Sequence, residues 1–145
     1  MKKIILIIIG VLLLIQVIRP EKNNADLTPI SGEDALLMTE DIAVILEKAC
    51  YDCHSNRTNY LWYAEVAPVS WFIAFHVNDG KEHLNFSEWN AYNNFQKEYI
   101  IKGLYKEIKG NKMPLKSYTW MHPESLLSAT EKEALLTWVK TLKNN

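Results

Sequence analysis

The chain of 145 residues has room for one ordinary domain and little more. Its formal net charge is −1, and with Lys2 and Lys3 set aside, 14 of the 16 basic residues stand against 17 acidic ones. No basic patch with interleaved aromatics occurs, which excludes nucleic acid as a partner; a partner docking by charge would present a basic surface.

The apolar residues are unevenly spread. Residues 4 to 18 read I-I-L-I-I-I-G-V-L-L-L-I-Q-V-I, interrupted only by Gly10 and Gln16. As a helix such a run spans about 22 Å, short of a hydrocarbon core of ~30 Å unless flanking Lys2, Lys3 and Arg19 snorkel. The two lysines orient the run with its N-terminus in the cytoplasm. No A-x-A-like cleavage site follows it, so residues 1–19 are expected to form an uncleaved signal anchor, with a cleaved signal peptide as the alternative. This places the protein on the cytoplasmic membrane with its domain facing the periplasm, or free in the periplasm after cleavage. Residues 20–38, punctuated by Pro and Gly, are expected to be a flexible tether, leaving 39–145 as the folded domain.

From Thr39 onward the periodicity is helical throughout. Thr39 is a fair N-cap with Glu40 and Asp41 in the first turn, and Ile42, Ile45, Leu46 and Ala49 fall on one face. That helix delivers Cys50 at its C-terminal end. Pro68 opens a second helix, with Trp71, Ile73, Phe75 and Val77 largely buried and Gly80 stopping it. Ser87 is expected to cap a third that runs through Trp89, Tyr92, Tyr99, Ile100, Leu104 and Ile108 to Gly110, with Gly103 a weak point. In the last, Ser128 and Glu131 form a capping box ahead of Leu135, Trp138, Val139 and Leu142. No stretch alternates at period two, so the domain is all-α. Its loops, 55–67 and 110–127, are long and aromatic, and a planar cofactor would give them something to pack on.

Residues 49–54 read A-C-Y-D-C-H, holding the only two cysteines. A dithiol redox motif belongs at a helix N-terminus beside a strand, the opposite of this setting. Structural zinc needs four ligands, and His54, His76, His83 and His122 lack the usual pair spacing to complete a set. C-x-x-C-H is the local signature of c-type haem attachment: Cys50 and Cys53 form thioethers, and His54 reaches the iron as proximal ligand. In a chain this short a chance match is roughly a one-in-a-thousand event at average residue usage.

An electron carrier then needs a ligand on the other iron face, most often Met or His. Met113, in G-N-K-M-P-L-K-S-Y with an extended backbone imposed by Pro114, ranks first. His76, on a mostly apolar helix, and His122, in T-W-M-H-P beside Met121, follow. Met38 is a further thioether, and His83 lies in a polar turn. Arg57 is a candidate partner for a haem propionate, with a solvated surface arginine as the plain alternative. Trp62, Tyr118 and Trp120 are candidates for the haem edge or propionates, against ordinary packing.

These residues resemble the class I c-type cytochromes. More closely, A-C-Y-D-C-H-S-N, A-P-V-S-W, H-V-N-D-G-K-E-H-L-N-F-S-E-W, M-P-L-K-S-Y and H-P-E-S-L-L-S look like the small haem-binding domain family of exported bacterial proteins. The resemblance covers about residues 40 to 140. It implies a cytochrome c-like helical fold around one covalent haem c, His54 and Met113 as iron ligands, and one-electron transfer with redox partner proteins that it does not identify. The sequence departs from that family in Leu115, where a second proline is common, and in Lys81, where arginine is usual. A haem-based sensor or ligand-binding module with a displaceable distal ligand is the alternative, and weak peroxidase activity, with His76 as acid–base group, a third.

Overall fold

The computed structural model of the protein describes residues 1–24, 36 and 38–143. Its described residues are helical, with no strand beyond an isolated bridge between Asn24 and Arg57.

Helix α1, Lys2–Leu14, is apolar and exposed along its length. Its 13 residues rise about 20 Å before a 3-10 turn, Ile15–Val17, breaks the α geometry. No helix among the described residues is long and apolar enough to cross a membrane. The membrane anchor expected over residues 1–19, and with it the placement on the cytoplasmic membrane facing the periplasm, is therefore corrected. The physical reason lies at Gln16, whose amide turns onto the domain: its Nε2 donates to Ala67 O at 3.0 Å and its Oε1 accepts from Ala67 N at 2.9 Å. Trp71 Nε1 donates to Ile18 O at 2.8 Å just beyond. Most of the tether expected over 20–38 lies outside the described residues.

Helix α2, Glu40–Ala49, starts at Thr39 and carries Glu40 and Asp41 in its first turn, where the helix dipole favours acids. Cys50 leaves helical geometry at φ −131°, ψ −41°, and the chain re-enters a short helix α3, Tyr51–His54. Helix α4, Val69–His83, begins after Pro68 and runs through Gly80, which does not stop it. Gly80 is where α4 crosses α3: a Cβ there would stand 2.7 Å from the Cys53 carbonyl oxygen, closer than real contacts allow. Of the α4 residues expected inside, Val77 is buried, Trp71 and Ile73 are partly buried, and Phe75 is exposed.

The third predicted helix is two elements. Asn85, not Ser87, caps a 3-10 segment Phe86–Ala91, its side chain accepting from Ser87 N. Helix α5, Asn94–Lys109, then starts from its own capping box, Asn93 with Gln96. A short α6, Lys116–Met121, fills the 110–127 region. Helix α7, Ala129–Leu142, has the expected Ser128–Glu131 capping box. Faces of α2, α5 and α7 close one apolar cluster, which includes Ile42, Leu46, Phe86, Trp89, Ile101, Leu135 and Trp138. Leu36 lies in it, and its carbonyl accepts from Trp138 Nε1 at 3.0 Å.

Candidate cofactor-binding site

The turn between α2 and α3 sets the two thiols and His54 against α4. Cys50 N donates to Leu46 O at 2.8 Å, closing α2, and His54 N donates to Cys50 O at 2.9 Å, closing α3. The thiols are not bonded to each other. Burial first, then the neighbouring Cys53, pushes the Cys50 thiol up to about 12; burial and Asp52 push Cys53 up to about 11. Both are protonated at neutral pH, which a thiolate nucleophile would not be. Among the described residues no group of three His, Cys, Asp or Glu side chains could hold a metal ion.

His54 Nδ1 lies 2.9 Å from Leu84 O, at the end of α4. A carbonyl only accepts, so Nδ1 carries the proton and the Nε2 lone pair is left for another partner. Burial lowers the His54 pKa, partly opposed by the Leu84 and Gly80 carbonyls.

A cavity of about 560 Å³ opens beside this ring, lined by Cys50, His54, Gly80, Met113 and Pro114 and by one face of α5. At Gly103 that face has bare backbone, and nothing lies within 4 Å of where a Cβ would be. Lys102 and Lys106 also line it. A narrow space of about 50 Å³ brings Cys50, Cys53, His54, His76 and Met113 to one wall system. The Met113–Pro114 peptide is cis. Beyond Cys53 a second cavity, about 330 Å³, is lined by Tyr63, Phe72, Tyr118, Trp120 and His122 among others.

Cys50, His54 and Met113 are thus brought together. His76 borders the narrow space, its Nδ1 2.9 Å from Phe72 O. His122 is not at the His54 cavity: it is buried, with Nε2 2.6 Å from Tyr63 Oη and Nδ1 3.2 Å from Glu124 Oε1. Tyr118 stacks on His122 at 4.3 Å and donates its hydroxyl to Asp52 Oδ2 at 2.8 Å. Trp120 is 84% exposed at the second cavity, with Met121 beside it. Arg57 and Trp62 are exposed and line none of the three spaces. His83 lies at the edge of the large cavity, while Met38 accepts from Tyr51 Oη at 3.8 Å on the core side.

Four contributors leave no functional signal in the sequence. Leu84 acts through its carbonyl, which no side-chain identity betrays. Gly80 and Gly103 read as helix breakers yet serve as a contact point and an open wall. Asn23, in the expected tether, donates Nδ2 to Ser55 O at 2.9 Å and Thr58 Oγ1 at 3.0 Å, and its Oδ1 accepts from Lys81 at 2.7 Å. The only sequence hint was an amide beside a charge-rich stretch.

A helical domain with paired cysteines, a carbonyl-oriented histidine and a glycine-walled apolar cavity is built as a haem protein. Residues 10–141 match the model of the haem-binding domain family, and the chain belongs to that family. No curated protein and no solved structure matches it.

Proposed function

We propose that the chain carries one haem c, which Cys50 and Cys53 would hold by thioethers and His54 and Met113 would hold at the iron, and that it serves as a one-electron carrier. The observation that carries this reading is that His54 and Met113 line the same two spaces, with Cys50 in both and Cys53 in the narrower one. The residues fit the group: the large cavity lies within the range of cofactor sites, and Gly103 leaves it unobstructed on the α5 side. Lys102 and Lys106 supply cations at its edge for carboxylates.

When bound, haem supplies an iron that changes valence by one electron. The chain's own work is positional. Leu84 O fixes the His54 tautomer and ring plane. Gly80 lets α4 approach α3 closely enough to hold that carbonyl in place. The thioether of Met113 would hold the iron at a higher potential than a second histidine would. Electrons pass to and from partner proteins with no bond made to a substrate, so the reading is a carrier, not an enzyme.

A pyridine haemochrome spectrum with intact mass tests the attachment: one haem, covalently held, is expected. Redox titration tests Met113, and a potential well below that of ordinary His/Met carriers overturns that ligand. The alternative of a displaceable distal ligand draws on His76, which borders the same narrow space as Met113. Rapid carbon monoxide binding to the reduced protein would favour it, and inertness favours the carrier.

A further inference from the structure

The cavity beyond Cys53 is chemically unlike the one beside His54. Among the described residues neither Lys nor Arg lines it, and Asp52 does. An anionic group, including a carboxylate, finds no cation there, whereas the larger cavity offers Lys102 and Lys106. Its floor is apolar, with Leu61, Ala64, Val69, Ile73 and Val77, and aromatic rings of Tyr60, Phe72 and Trp120 stand around it. Such a wall suits a flat apolar ring system packed edge or face against aromatics. About 330 Å³ is at the lower end of small-molecule sites, enough for one or two fused rings.

The polar groups of this cavity have a definite direction. Glu124 Oε1 lies 3.2 Å from His122 Nδ1, and a carboxylate accepts, so in the neutral ring the proton sits on Nδ1. Nε2 is then an acceptor, and the Tyr63 hydroxyl 2.6 Å away must donate to it. Having spent its proton, the Tyr63 oxygen can only accept from anything else. Asp52 is likewise an acceptor, taking Tyr118 Oη–H at 2.8 Å and Asn59 N–H at 2.8 Å. At the Tyr63 and Asp52 oxygens the cavity therefore asks for a hydrogen-bond donor, and no cation lines it to pair a negative charge.

The geometry points to a binding site for a neutral hydroxyaromatic molecule of the phenol or hydroquinone class, its ring between Phe72 and Trp120 and its hydroxyl donating to Tyr63. The site abuts the proposed haem space: Asp52, Cys53, His76, Leu115 and Tyr118 line both this cavity and the narrow space of His54 and Met113, while Tyr63, Phe72, Ile73 and Trp120 line this cavity alone.

The test is calorimetric titration of the full-length, haem-loaded chain, its haem content measured on the same sample, with naphthol, methylnaphthalene and naphthoate. Naphthol is expected to bind at one site. Methylnaphthalene, which leaves the Tyr63 oxygen facing carbon, should bind about tenfold more weakly. Naphthoate should not bind. In Tyr63→Phe/His122→Phe, which removes the acceptor without uncovering His122 Nε2, the preference for naphthol over methylnaphthalene should vanish, and Ile73→Trp, which enlarges a side chain of the lining, should abolish naphthol binding. The proposal is overturned by absence of naphthol binding, by equal affinity for the two neutral probes in the unsubstituted chain, by tight naphthoate binding, or by a preference that survives the double substitution. The probe comparison needs no variant, so poor folding of either substitution leaves the test intact.

Discussion

The two halves of the domain are stabilised by different means. In the half made of α2, α5 and α7, apolar side chains meet one another: Leu46 and Leu135 are fully buried, with Ile42, Ile45 and Val139 around them. In the half made of α3, α4 and α6 they do not. Trp62, Phe72, Phe75, Trp120 and Met121 stay exposed, and the buried apolar residues there are small, Ala64, Ala67 and Val77. That half is held by polar contacts: Gln16 on Ala67, Asn23 on Ser55, Thr58 and Lys81, and Asp52 on Asn59 and Tyr118. A region whose apolar groups surround cavities rather than each other depends on what fills those cavities. The first half is a core; the second is a socket.

The largest break in that comparison is removal of the attachment residues. Cys50→Ala/Cys53→Ala is expected to abolish covalent haem and to collapse amide exchange protection in α3, α4 and α6, while α2, α5 and α7 keep theirs. Uniform loss of protection across both halves would show that the halves are not separable. Next is Leu46→Ala in the core, where nothing of Leu46 is exposed and the side chain lines none of the three spaces. It should cost about 2–5 kcal/mol in denaturant unfolding, through lost transfer energy and a residual cavity. Its haem spectrum should stay unchanged, because the effect is confined to the first half. Gly80→Ala should show the reverse pattern. With a Cβ 2.7 Å from Cys53 O, α4 must shift off α3, at about 1–3 kcal/mol, and Leu84 O moves with it. Loss of stability with an unshifted redox potential would mean that the Leu84 contact to His54 tolerates the displacement.

This division also explains what the sequence could and could not tell. Core elements were legible because their signals are local: helical spacing at Ile42, Ile45 and Leu46, and the capping box at Ser128 and Glu131, both present in the structure. C-x-x-C-H is local too, and the family match agrees with a haem-binding reading. The socket was less legible because its contacts join distant residues through backbone atoms or through what is missing. Leu84 O, the vacant side-chain position of Gly103 and the clamp of Gln16 on Ala67 leave no periodic trace. The apolar run at the N-terminus misled for a related reason. Composition favours a membrane span, but the helix ends at Leu14, where Gln16 finds a partner in the fold. Trp62 and Arg57 are an aromatic and a cation near the motif that line none of the three spaces, since residue type alone carries no direction.

The smallest expected effect sharpens the comparison within the core. Glu131 belongs to α7, caps it by accepting from Ser128, and pairs with Lys48 of α2. The Lys48 hydrogen bond first, then the Ser128 backbone and hydroxyl, holds its carboxyl down at about 2, against a usual value near 4.5. A group with a depressed folded-state pKa binds its proton more weakly in the folded chain than in the unfolded one. Its contribution is complete above about 4.5 and disappears as the pH falls through about 2. The pair is partly solvated, so the effect should be about 1 kcal/mol or less. Glu131→Gln separates the charge from the cap, since glutamine can also complete a capping box. The variant should lose less than about 1 kcal/mol at neutral pH and should flatten the stability profile between pH about 4.5 and about 2. Exchange protection read by segment makes the assignment, because the Lys48 and Glu131 side chains link α2 to α7. If acid loosens α4 as much as α7 in the unsubstituted chain, and Glu131→Gln relieves both, the ion pair serves the whole domain and the boundary between core and socket is not energetic.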